Sequence, residues 1–154
     1  MNWFNYYGLV IMVILMIPSI IYAATHKNEF ASSYNNKIVI IAEQISRYCC
    51  FGLMIFNIPY TYFNFWFNHA FIVYLSVNGC LCFLYLLFWI LLWNKKGKLK
   101  ALSLSIIPSS IFIFSGITLA SIPLIVFAII FSANHILISY KNAVNNNKKA
   151  TDND

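Results

Sequence analysis

Residues 37–59, KIVIIAEQISRYCCFGLMIFNIP, decide how the rest of this 154-residue chain is read. The stretch is long and apolar enough to enter a bilayer. It also carries Glu43 and Arg47, the only acid and the only arginine that fall inside an apolar run. Four positions apart, they share one face of a helix, with the acid N-terminal, the better order for an ion pair. Helical steps extend that face through Cys50, Met54, Asn57 and Thr61. The rest of the helix is apolar, so this stripe is expected to face other helices and not lipid.

Composition agrees. Hydrophobic residues make up 61% of the chain and charged residues 9%, with a mean hydropathy of +0.74. A soluble domain carries roughly 25% charged residues, and so few charges cannot cover a water-facing surface. An integral membrane protein is expected. The net charge of +6 invites a nucleic-acid reading. The basic residues, however, flank apolar spans and form no patch with stacking aromatics. They read as topology and headgroup signals, so membrane lipids, including anionic headgroups, are the expected partners and nucleic acid is not.

Outward from the central stretch, residues 6–24 form the first apolar run, near the ~20 residues that cross a hydrocarbon core. A signal peptide competes for this run, because Ala23 and Ala24 are small. No Lys or Arg precedes it, and Trp3, Phe4, Tyr6 and Tyr7 read as an interfacial belt, so a retained helix kinked at Pro18 is expected. The second span is placed at residues 38–58, followed by an uncharged aromatic loop, YTYFNFWFNHA. The third is placed at 70–93, with Trp89 and Trp93 at one end. Residues 101–140 make an apolar tract too long for one crossing and right for two. Pro108, Gly116 and Pro123 punctuate it, and a turn near Ser115 to Ser121 gives helices over 101–117 and 120–140. A re-entrant pair is the alternative. Residues 141–154 are expected to be a disordered polar tail.

The lysines then fix orientation. Lys27 and Lys37 fall in the first loop, Lys95, Lys96, Lys98 and Lys100 in the third, and Lys141, Lys148 and Lys149 in the tail. The segment before the first span, the second loop and the hairpin turn have none. Five crossings put every lysine on one side, so the N-terminus is expected outside and the C-terminus in the cytoplasm. The fold class is all-α: a polytopic integral membrane helix bundle of five transmembrane helices, one domain over residues 1–140, with no internal repeat.

Candidate chemistry concentrates at the lysine end. Glu43 lies six residues past Lys37, and His135 six before Lys141, each about 9 Å of helix from its flanking lysine. The last helix has its own stripe of Ser121, Ala128, Ser132, His135 and Ser139. If the two stripes meet, Glu43, Arg47 and His135 share a layer, with Ser132 and Asn134 alongside. This is the candidate polar site. It reads either as a proton-active site beside a fixed guanidinium or as a satisfied ion pair that sets helix register. Asn57 and Asn78 are expected to make interhelical polar contacts.

Cys49, Cys50, Cys80 and Cys82 lie inside apolar runs without CxxC spacing, so no metal site and no cofactor is expected. P-loop, HExxH and GxSxG motifs are absent. The Asn, Ile and Lys bias suits an AT-rich genome, and the expected location is a bacterial cytoplasmic membrane. The sequence points to a non-enzymatic permease-like bundle or accessory subunit with a Glu43/Arg47 centre. The alternative is a membrane-embedded enzyme acting on a lipid or isoprenoid headgroup.

Overall fold

A computed structural model describes residues 3–25, 36–56, 65–93 and 98–151, with side chains through Asn145. It is all-helical: α1 Tyr6–Thr25, α2 Lys37–Ile55, α3 Ala70–Leu91, α4 Lys98–Thr118 and α5 Ile122–Thr151. Each of the five is long and apolar enough to cross a membrane. Helices α1 to α4, and the start of α5, lie within a few residues of the bounds expected from the sequence.

Local chemistry sets those ends. Asn5 starts α1 as an N-cap, its Oδ1 accepting from the Gly8 N–H at 3.2 Å. Asn36 does the same for α2, accepting from Ile38 N–H at 3.1 Å. At the end of α2 the chain turns extended at Phe56, and the Asn5 N–H bonds the Ile55 carbonyl at 2.7 Å. The segment before α1 is thereby tied back against α2.

The hairpin between α4 and α5 is tighter than the sequence suggests. The Ser121 N–H bonds the Gly116 carbonyl at 2.9 Å and the Ala120 N–H bonds that of Ile117 at 3.2 Å. Together these form a Schellman motif, with Ala120 in the left-handed position (φ 51°) that glycine usually fills. Pro123 in the first turn of α5 loses no helical bond. The turn thus occupies Leu119 to Ser121, and α4 runs on to Thr118.

At its other end α5 stays helical to Thr151, past residue 140 where the sequence reading ends it and begins a disordered tail. Elongating an existing helix fixes few dihedrals per added bond. No Gly or Pro interrupts residues 124–151, and Ala143 is buried.

The helices close into a ring in the order α1, α3, α4, α5, α2, with α2 also touching α4 across it. The interior is filled by Met12 and Leu15, Cys50 and Met54, Tyr74 and Cys82, Ile111 and Phe112, and Leu124 and Ala128. Outward faces are apolar: Val10, Val13, Ile17, Ile41, Ile72, Ile90 and Ile129 are exposed. Buried positions include Glu43, Ser46, Asn78, Ser105, Ser109 and Ser115. Polar groups inside and hydrocarbon outside is the arrangement a lipid solvent selects.

Most buried hydroxyls are satisfied within their own helix. Ser46 bonds the Ala42 carbonyl at 2.7 Å, Ser105 that of Ala101 at 2.7 Å, and Ser109 that of Ser105 at 2.8 Å. They cost little to bury and let neighbouring backbones come close. Gly8 marks the closest approach: a Cβ there would lie 2.2 Å from the Met54 carbonyl oxygen of α2. Gly8→Ala is expected to destabilise the bundle by about 1–3 kcal/mol. Gly79→Ala, where nothing lies within 4 Å of the added carbon, is expected to be neutral or mildly stabilising. Thermal unfolding of the two variants in one detergent reads the difference.

Candidate functional site

The polar centre is built by two antiparallel helices. On α2, Glu43 and Arg47 are one turn apart, and side chains on a helix lean toward its N-terminus. The guanidinium therefore folds back onto the carboxylate. The Arg47 Nε–H donates to Glu43 Oε1 at 3.1 Å, and an Nη2–H of the same guanidinium donates to that oxygen as well. From α5, His135 Nδ1 reaches the same Oε1 at 2.9 Å. An ionised carboxylate only accepts, so Nδ1 carries the proton and donates. One oxygen thus gathers contacts from two residues on two helices.

Burial grades outward from it. The Glu43 side chain is 3% exposed, His135 22% and Arg47 33%. The carboxylate is sealed, while the edges of both its partners reach the surface. Phe131, one turn before His135, supplies the floor. Its ring stacks on the imidazole at 4.7 Å with planes 18° apart, and the Arg47 guanidinium carbon lies 5.9 Å over the same ring. Phe131 in turn packs edge-on against Phe112 of α4. Imidazole and guanidinium are held by ring contacts as well as by Glu43.

The two sequence stripes do meet. Cys50 and Met54 continue the α2 stripe as fully buried residues, and Ala128 and Ser121 continue that of α5. Ser132 lies on the His135 face but donates to the Ala128 carbonyl of its own helix at 2.6 Å. Asn134, half-buried, is one position from His135 and so about 100° around the helix. Neither is brought to Glu43. Asn57, like Thr61, lies outside the described residues. Asn78 is fully buried and makes an interhelical contact, its Oδ1 accepting from Ser115 Oγ of α4 at 3.3 Å. Its Nδ2 has no partner among the described residues.

Sequence reasoning missed a second polar cluster at the same end of the bundle. Lys100, in the first turn of α4, places its Nζ 4.1 Å from the Tyr22 ring centroid and 5.8 Å from that of Trp89, and donates to the Trp93 carbonyl at 3.0 Å. The spacing of Trp89 and Trp93, one turn apart just before a lysine-rich loop, was the available signal. No group of three metal-ligating side chains is found among the described residues. An apolar recess of about 310 Å³ opens at the opposite end, against Trp66, Ile117, Ala120, Ile122 and Ile125, away from the ion cluster.

Removing the acid leaves Arg47 and His135 without the oxygen they share. Glu43→Ala is expected to cost about 3–5 kcal/mol, the usual penalty for stripping one member from a buried pair. It should appear as a loss of monodisperse protein after extraction and a lower thermal midpoint. The swap Glu43→Arg with Arg47→Glu is expected to recover part of the loss, since opposite charges again meet on α2 while His135 meets a donor where its acceptor stood. Comparison with protein-family models, with curated proteins and with solved structures finds no match to this chain.

Proposed function

We propose that this chain is a non-enzymatic component of a bacterial cytoplasmic membrane, with its N-terminus outside and its C-terminus in the cytoplasm. It acts as an accessory subunit of a larger membrane assembly or homo-oligomer. The observation that carries this reading is the state of Glu43: its carboxylate is sealed and committed to both Arg47 and His135. A carboxylate so committed serves to fix α2 against α5. The middle of the ring is occupied by side chains at zero or near-zero exposure, among them Cys50, Met54, Ile111, Phe112, Leu124 and Ala128. That filling favours an accessory role over a permease, because five helices enclose little volume and transport would need a second copy or partner.

Orientation rests on the lysines. In the ring, α1, α3 and α5 end where α2 and α4 begin. Lys37, Lys98, Lys100 and Lys141 therefore gather at one end of the bundle, which the positive-inside rule assigns to the cytoplasm.

A second reading keeps one specific support. Arg47 and His135 retain surface exposure while converging on a single oxygen. An enzyme acting on a lipid or isoprenoid headgroup would use that pair as phosphate anchor and base. The readings part experimentally. A clasp predicts that Arg47→Ala lowers folded yield, whereas an enzyme predicts that Arg47→Ala and His135→Ala abolish turnover while the protein still accumulates in the membrane.

A single-cysteine chain carrying only Cys50 tests the filled interior. Full protection from a polar thiol reagent in intact vesicles is expected, and rapid labelling would establish a water-filled cleft and reinstate the permease. A reporter fused at each end, read in whole cells, is expected to place the C-terminus in the cytoplasm and the N-terminus outside. Both ends in one compartment would refute the five-crossing topology.

A further inference from the structure

The Lys100 cluster has the form of a cation receptor. Tyr22 comes from the end of α1, Trp89 and Trp93 from the end of α3, and the ammonium from the start of α4. The three rings lie 5.1, 5.7 and 5.8 Å apart, with interplanar angles of 55°, 89° and 56°. They meet tilted or edge-on, and the Lys100 ammonium lies over the Tyr22 and Trp89 faces beside the Trp93 carbonyl. Ring faces carry the negative side of the aromatic quadrupole, so the Tyr22 and Trp89 faces together attract one positive charge, and the Trp93 ring packs against both.

We propose that the Tyr22–Trp89–Trp93 box is a binding site for an organic ammonium group, with Lys100 as the tethered occupant that such a ligand displaces. The lysine ammonium stands in for the ligand's cation, and its hydrogen bond to the Trp93 carbonyl marks where a primary ammonium would donate. Solvation favours exchange. A lysine ammonium is compact and strongly hydrated and loses much by entering an aromatic box. A quaternary ammonium brings methyl groups instead, and quaternary ammonium recognition is the best-attested use of aromatic cages.

The displaced lysine gives up its hydrogen bond to the Trp93 carbonyl and both ring contacts, and regains hydration. Its flexible stem can carry the charge to the headgroup layer, where anionic lipid attracts it. Tyr22, Trp93 and Lys100 are only half-buried, so the box has an open side. It lies where α1 and α3 end, the level at which lipid ammonium groups sit if these helices span. The ligand is then either the ammonium of a lipid headgroup or a free organic amine from the aqueous phase.

Fluorescence tests the box in the full-length protein. A Trp3→Phe/Trp66→Phe background leaves Trp89 and Trp93 as the emitters. In that background Lys100→Met removes the competing charge and keeps the stem. Choline chloride is expected to change its emission saturably, whereas 3,3-dimethylbutan-1-ol, the uncharged isostere, is not. The Lys100 protein should need about tenfold more choline, and loss of one wall by Tyr22→Leu or Trp93→Leu should weaken binding by about tenfold. Two wall variants are used so that misfolding of one leaves the other readable.

A folded Lys100→Met protein with no saturable response, or with equal response to the alcohol, overturns the proposal. Nanodiscs separate the sources. Weaker choline binding in phosphatidylethanolamine than in phosphatidylglycerol assigns the box to a lipid headgroup, and equal binding assigns it to a free amine.

Discussion

The bundle depends on one carboxylate oxygen. Glu43 Oε1 takes hydrogen bonds from Arg47 of its own helix and His135 of α5. Among apolar side chains such a charge is tolerable only if its partners are close and fixed. The consequences spread from that requirement. Arg47 must fold back one turn, His135 must sit at the matching depth of α5, and Phe131 must lie flat beneath both. A slip of α5 by one residue would turn His135 about 100° away and leave the carboxylate with Arg47 alone. The ion cluster is therefore a register mark between helices that otherwise present mostly interchangeable hydrocarbon.

Elsewhere the bundle is held by close approach. Between helices in lipid, apolar burial brings little net gain, so contact area and small side chains decide how tightly they pack. Gly8 lets α1 reach the Met54 carbonyl, and Gly116 lies against the Ile125 backbone across the hairpin. Serines along α4 donate to carbonyls one turn earlier in their own helix and add little bulk. Asn5, donating to the Met54 carbonyl at 3.2 Å, ties α1 to α2 at the end opposite the ion cluster.

The two ends differ in kind. One carries aromatic contacts, with Trp3 stacked on Phe56 at 5.9 Å and the Trp66 indole bonded to the Ile117 carbonyl at 2.9 Å. The other carries the described lysines, the Glu43 cluster and the aromatic box around Lys100. Both charged clusters thus lie on one side of the bundle, on opposite flanks: α2 and α5 build one, and α1, α3 and α4 the other. The proposed accessory role and the ammonium site can coexist because they share no residue.

Sequence alone determined the apolar character, the five helices long enough to cross a membrane and the inward face of α2. Length, apolar content and the spacing of Glu43, Arg47, Cys50 and Met54 are local properties, and a helix transmits them unchanged from chain to structure. Sequence also set the depth of His135, because rise per residue is fixed. It left open whether the two stripes meet, since depth says nothing about which helices adjoin. The ring order, with α2 beside α5 and not α3, is a property of packing. So is the Lys100 box, whose walls lie on helices far apart in the chain. Helix ends fell between these cases. The Schellman turn at Ala120 lacked the glycine that announces it, and α5 ran past its polar boundary because an existing helix is cheap to extend. Periodicity fixes what a helix shows on each face, and only tertiary packing decides what stands opposite.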